Sequence, residues 1–402
     1  MFCSKRYISL VAMLLVTAYI AMADALSDFT SSKAINAPSA SVLIVDLKNG
    51  RELAAHNIDR PLIPASIMKS VTTATLLEKV GAGYRYITPV YLTGDVDLDS
   101  GVVKGNILVE ASGDPTIDTS HDPKTPGFVA EIVDAIKALG INTIEGSVIV
   151  DESAFPGPAI NPTWSSGDLP HAYGTGTHGF NFEDNSSGNR SVQNPASVFR
   201  SRLISALRSA GISVGSTEVK TRGKKHLIGE HRSAPIDEIM RSCMMRSDNQ
   251  FAESMLRLVG KKYGSDASSA DGAARMTETW RKHKAHMDSV VIVDGSGLSR
   301  SNRMTARFMG DVLRRMAVNP YYASFFPLAG QEGTLKKLLA GTPLEGFIAM
   351  KTGSMRGIQC YAGYKLDDDY RPTHLVVIMM NNMKDRAEAR REVEKLLLET
   401  FN

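Results

Sequence analysis

Strand-like sequence at both ends of a 402-residue chain, with long helical patterns between, most restricts what this chain can fold into. Near the start, "SVLIVDLKNGRELAAHN" (41–57) reads as two strands around Asn49-Gly50, the dipeptide favoured in type I′ hairpin turns. Near the end, "GIQCYAGYKL" (357–366), "DDDYRP" and "THLVVIMMNN" (373–382) read as a second hairpin, with a helix from Lys384 to the terminus. Helical periodicity runs through 235–263, 268–287 and 304–318. An early and a late hairpin bracketing a helical body predict a mixed α+β fold. Its antiparallel sheet is built from both chain ends and flanked by helices.

The middle third has a different texture. From about residue 88, short turn-rich strands alternate with helical patterns at 127–141 and 195–212, and 156–195 is irregular and rich in Gly, Pro, Asn and Ser. The expected organisation is a discontinuous domain from 24–87 and 230–402, interrupted by an inserted α/β domain over 88–229. At the N-terminus, Lys5 and Arg6 precede the apolar run "ISLVAMLLVTAYIAMA", which ends in A-x-A patterns at 21–23 and 23–25. That run is short for a spanning helix and has a cleavable end, so 1–23 reads as a secretory signal, with an uncleaved N-terminal anchor as the alternative.

A net charge of +3, with no long basic run, argues against nucleic acid as a partner. Only Cys243 and Cys360 follow the signal, too few for a disulfide framework, and no Cys/His spacing suggests a metal. His283 and His286 fall on a lysine-rich helix face. No cofactor is expected. Gly174–Gly179 spells G-x-G-x-x-G, but "FNFEDNSSGN" follows where a dinucleotide site needs a helix.

The chemistry is carried by three short motifs in order: Ser66-Ile67-Met68-Lys69, Ser247-Asp248-Asn249 and Lys351-Thr352-Gly353-Ser354. Each is weak alone; together they are specific. A helix expected from about Ser66 to Val80 puts Ser66 and Lys69 on one face. A serine hydroxyl needs a base, and lysine serves only if burial or a nearby cation lowers its pKa. Lys351 is a candidate for that cation, and no carboxylate follows Lys69 on the helix before Glu78. Ser247 is placed to relay a proton to the leaving nitrogen, and Asn249 to hold a peptide backbone. Lys351 and Thr352 suit a terminal carboxylate, and Gly353 permits close backbone approach. The N–H groups of Ser66 and Ser354 are the candidate oxyanion hole. The reaction class is acyl transfer through a serine ester.

With these motifs, and with "GNILVEASGDPT" (105–116), "VIVDESAF" (148–155) and "VDGSGLS" (293–299), the chain resembles the class C low-molecular-mass penicillin-binding proteins, the D-alanyl-D-alanine carboxypeptidase/endopeptidase family. The resemblance implies a penicilloyl-serine transpeptidase-like domain, peptidoglycan stem peptides as substrate and β-lactams as covalent inhibitors. It also implies that Asp151 and Met355 border the substrate. Bland readings of these two are a turn residue in "VDES" and a core methionine. Ser66 and Ser247 stand 181 residues apart, and no E-x-x-L-N element lies between them, unlike class A β-lactamases. Only "SSGNRSVQ" separates "THGFNFEDN" from the next helix, where family members usually carry a second insertion. The chain reads as a reduced form with one inserted domain. The alternatives are a serine β-lactamase or esterase of the same fold, and a non-catalytic cell-wall binding protein. Oligomeric state is left open.

Overall fold

The computed structural model describes residues 24–121, 127–319 and 321–401; the expected signal segment, 1–23, lies outside them. In chain order come α1 (24–31), β1 (Ala40–Asp46), β2 (Glu52–His56) and α2 (Met68–Val80). The middle region follows with β3 (Ile87–Thr93), β4 (Asp95–Asp97), β5 (Val102–Lys104), β6 (Ile107–Glu110), α3 (Phe128–Ala138), β7 (Thr143–Ile144) and β8 (Val148–Asp151). It continues through β9 (Ser186–Ser187), β10 (Arg190–Ser191), α4 (Pro195–Ser209), β11 (Ser213–Val214) and β12 (Lys225–Arg232). Four helices then run in succession: α5 (Ile236–Arg246), α6 (Asn249–Tyr263), α7 (Ser269–Lys282) and α8 (Ala306–Met316). The chain closes with β13 (Ile348–Met355), β14 (Ile358–Leu366), β15 (Pro372–Asn381) and α9 (Arg386–Phe401).

Two compact units result. The first comprises 24–74, 243–247 and 277–401 of the described chain; the second comprises 75–242 and 248–276. The first is built on a five-stranded antiparallel sheet in the order β13-β14-β15-β1-β2, so both chain ends do share one sheet. Eight of the nine β14 residues are buried. Both faces are covered, which is why this strand reads as a continuous apolar run without alternation. On one face Val42, Ile44, Met350, Tyr361, Val376 and Ile378 form a core with Phe29 of α1 and Val393, Leu396 and Leu397 of α9. On the other face Gly310 of α8 backs onto Leu43 so closely that a Cβ there would lie 2.7 Å from the Leu43 side chain.

Two local expectations need correction. Asn49-Gly50 does not make a two-residue type I′ turn: only Gly50 has positive φ (73°), and the loop runs from 47 to 51. The Asp46 carboxylate takes over the turn, accepting from Lys48 N–H at 2.8 Å and Asn49 Nδ2 at 2.7 Å. The single helical pattern over 235–263 is two helices, broken where Ser247 adopts φ 64°. Asp248 then caps α6, accepting from Phe251 N–H at 2.9 Å, so its side chain has a structural task beyond solvation.

The second unit contains two four-stranded sheets, β12-β3-β6-β8 and β11-β7-β5-β4. Helices α3 and α4 fill its core through Phe128, Ile132, Phe199 and Leu203, against Val90 and Val109 of the strands. Strands β3 and β12 pair antiparallel from Ile87↔Arg232 to Thr93↔Lys225, so the segment between them starts and ends side by side. Arg257 of α6 is almost fully buried, and its guanidinium donates to Pro156 O at 2.6 Å, Thr177 O at 2.8 Å and Ala267 O at 3.2 Å. One side chain thereby pins the Gly/Pro-rich loop that follows β8.

Candidate active site

The helix expected to begin at Ser66 opens instead with a 3₁₀ turn, Ala65–Ile67, and becomes α-helical at Met68. Ala65 sits at φ 47°, a region that costs an L-residue roughly 1–2 kcal/mol. Two glycines press on this turn. A Cβ at Gly297 would lie 1.9 Å from Ala65 O, and one at Gly353 would lie 2.6 Å from Pro64 O and 3.1 Å from Ser66 N. The turn that presents Ser66 is held between the "DGSGLS" loop and β13.

Helix α2, "MKSVTTATLLEKV", has three threonines and low intrinsic helicity, so packing must hold it. Two of the threonine hydroxyls find backbone acceptors: Thr73 donates to Lys69 O at 2.8 Å and Thr72 to Gly295 O at 2.6 Å. Lys69 is fully buried. Its Nζ donates to Ser66 Oγ at 3.0 Å and to Ser296 O at 2.7 Å, both uncharged acceptors.

Ser247 follows the last residue of α5, and its left-handed backbone turns the hydroxyl toward β13. Lys351 Nζ donates to Ser247 Oγ at 2.9 Å and to Thr352 O at 2.8 Å. Lys351 is also fully buried, and its ammonium is held well below the usual lysine range, first by burial and then by the charge of Lys69; Cys243 partly offsets this. Within the first unit, then, Ser66 meets Lys69, Ser247 meets Lys351, and Gly353 closes on the Ser66 turn.

Strand β13 lies at the edge of its sheet. Met350 N–H donates outward to Pro327 O at 3.2 Å, and Ala329 N–H donates to Ile348 O at 2.8 Å. Backbone groups of alternate residues point to the same side of a strand. The N–H groups of Thr352 and Ser354 therefore also point off the edge, past the end of the 327–329 cover. Side chains alternate too: Lys351, Gly353 and half-buried Met355 share one face, Thr352 and exposed Ser354 the other. The Thr352 hydroxyl donates to Thr334 Oγ1 at 2.8 Å.

The remaining candidates belong to the second unit. Asn249 opens α6, and its amide donates to Tyr173 O at 2.7 Å. Exposed Asp151 ends β8 and accepts from Ser153 N–H at 2.9 Å. Cys243 and Cys360 are buried thiols not joined in a disulfide; burial pushes Cys360 up to about 12.

Sequence reasoning did not find the carbonyl acceptors for Lys69 and Thr72. They come from the loop after β-bridge residue Val291, where the buried Asp294 carboxylate accepts from Gly297 N–H (2.8 Å), Ser299 N–H (2.6 Å) and Asn302 Nδ2 (2.7 Å). The segment "VDGSGLS" carried part of the family resemblance, but backbone carbonyl positions leave no mark on residue choice.

The D-Ala-D-Ala carboxypeptidase 3 (S13) family matches residues 22–187 and 182–399. Carboxypeptidase DacB of Mycolicibacterium smegmatis is 28% identical over 359 residues, covering 84% of this chain and 75% of its own. The D-alanyl-D-alanine carboxypeptidase of Actinomadura sp. (strain R39) is 25% identical, covering 82% and 76%. The crystal structure of penicillin binding protein 4 (dacB) from Haemophilus influenzae superposes with a TM-score of 0.79 at 21% identity, over 93% of this chain and 98% of that one. That protein has also been solved in complex with a β-lactam.

Proposed function

The chain belongs to the D-Ala-D-Ala carboxypeptidase 3 (S13) family, and on that premise we propose how its own residues carry out the peptidase reaction. It is a low-molecular-mass penicillin-binding protein of the serine carboxypeptidase type, with the mixed fold of the penicilloyl-serine transpeptidases. Its substrate is taken to be a peptidoglycan stem peptide ending in D-Ala-D-Ala.

Ser66 Oγ attacks the carbonyl carbon of the penultimate D-alanine while its proton passes to Lys69 Nζ. The tetrahedral oxygen is received by the N–H groups of Ser66 and Ser354. The carbon–nitrogen bond then breaks, and Ser247 relays a proton to the departing amine. Water resolves the serine ester. Lys351 and Thr352 receive the terminal carboxylate, and Gly353 admits the peptide along the β13 edge, where the ligand adds as a short strand. Asn249 holds the acyl-side backbone, and Asp151 and Met355 border the stem-peptide side chain. Residues 88–229 are read as an insertion into a domain formed by 24–87 and 230–402, supported by the pairing of β3 with β12. A secretion signal over 1–23 places the reaction in the periplasm.

The observation that carries this reading is the double pairing of serine with buried lysine, Ser66–Lys69 at 3.0 Å and Ser247–Lys351 at 2.9 Å. Incubation with a labelled penicillin, followed by intact mass, tests it. The expected result is a long-lived adduct that is lost in Ser66→Ala. Rapid turnover of the drug would make the protein a β-lactamase, and absence of any adduct would make it a non-catalytic binder.

A further inference from the structure

The face of β13 that carries Thr352 and Ser354 holds a feature that the chemistry at Ser66 does not use. A pocket of about 500 Å³ opens beside these two residues, and Lys337, Gln359, Arg386 and Arg390 complete its polar wall. Among the described residues no carboxylate lines it. Arg386 is fixed at the β13 end by donating to Met355 O at 3.2 Å. Arg390 Nε is buried and makes no hydrogen bond. Its acidic neighbour, Glu394, stands 3.8 Å away and is already accepting from Leu339 N–H.

Gln359 is only 8% exposed, and it too is incompletely satisfied. Its Nε2 donates to the Tyr361 hydroxyl at 3.1 Å, and its Oε1 has no partner. Turning the amide over would let Tyr361 donate to Oε1 and present the two N–H donors to the pocket. Buried donors without acceptors are unfavourable, and an anion supplies the acceptors. The flat guanidinium forks favour a carboxylate in particular.

We propose that this pocket is a subsite for a second carboxylate on the leaving-group side of the substrate, next to the one received by Lys351 and Thr352. The proposal rests on the DD-peptidase reading, since that reading puts the leaving group's carboxylate at Thr352, which lines the pocket. Free D-alanine departs with one carboxylate. The departing half of a peptide cross-link presents more than one, so the subsite favours cleavage of cross-links.

Two synthetic peptides with the same acyl half test this, one ending in D-Ala-D-Ala and the other in D-Ala-D-Glu. The expected result is a kcat/KM about tenfold higher for the D-Glu peptide, the gain of one charge-assisted pair. The preference weakens as salt is raised. It disappears in Arg390→Gln and also in Lys337→Gln and Arg386→Gln, two exposed positions where folding is not at stake. A wild-type enzyme that is acylated by penicillin at Ser66 yet shows no preference overturns the subsite alone. A preference that survives all three substitutions also overturns it. Failure of Ser66 to acylate overturns the peptidase reading with it.

Discussion

Lys69 and Lys351 are both withdrawn completely from solvent, and the charge of Lys69 joins burial in holding the Lys351 ammonium below its ordinary range. Burial and a second cation both disfavour the charged form of Lys351. Ser66 Oγ needs a group beside it to take its proton, and Lys69 Nζ stands 3.0 Å away.

Lys69→Ala is expected to slow penicillin acylation by about 10²–10⁴-fold, the usual contribution of a positioned base. The rate is read by quenched mass spectrometry, with a thermal melt to show that the variant is folded. Normal acylation by a folded Lys69→Ala protein would remove Lys69 from the mechanism.

Lys351 gives stability a pH dependence of definite sign. Its folded pKa lies below the unfolded value of about 10.4, so the unfolded chain binds more protons between the two. Stability then rises with pH across that window, and the cost of burying the ammonium is largest below it. Lys351→Met removes the contribution. Urea unfolding of both proteins from pH 6 to 10 should show the variant's relative stability falling as pH rises. A difference that does not change with pH would mean that Lys351 titrates alike folded and unfolded.

Gly353→Ala places a methyl 2.6 Å from Pro64 O and 3.1 Å from Ser66 N. The strand and the nucleophile's turn must part, at about 1–3 kcal/mol by the usual cost of overpacking. The acylation rate should fall further than stability does, because the displaced group is the Ser66 N–H. Gly83→Ala is the control: nothing lies within 4 Å of a Cβ there, and its melt and acylation rate should match the wild type.

Arg257→Met leaves the carbonyls of Pro156, Thr177 and Ala267 without their donor, and is expected to cost about 1–3 kcal/mol in urea unfolding. Arg257→Lys should recover only part of this, since an ammonium lacks the planar fork that spans the three acceptors. Full recovery by lysine would show that charge alone matters.

What could be read in advance followed from local rules. The terminal hairpins have runs of β-branched and aromatic residues bounded by turns, and the sheet joining both chain ends follows from them. Ser66, Lys69, Ser247 and Lys351 could be named because acyl-transfer chemistry restricts residue type. Less legible were features set by tertiary packing. Periodicity continues smoothly through 235–263, and nothing local announces that Ser247 adopts φ 64° and divides it. The 3₁₀ start at Ala65 is imposed by Gly297 and Gly353, both far away in sequence. Arg257 is one charged position within the 235–263 helical pattern, and nothing local marks it as buried, because its acceptors are carbonyls of a distant loop.

The outer side of β13 has one more consequence. Its first residues are sealed by Pro327 and Ala329, and the exposed run of the strand ends at Met355. A bare edge of a long, well-ordered strand would recruit neighbouring molecules and seed aggregates. Here the unsealed length is only the last few residues, enough to seat the backbone of a small extended peptide but too short to template a second copy's strand. The length of edge that the sheet leaves open along β13 is thereby kept short.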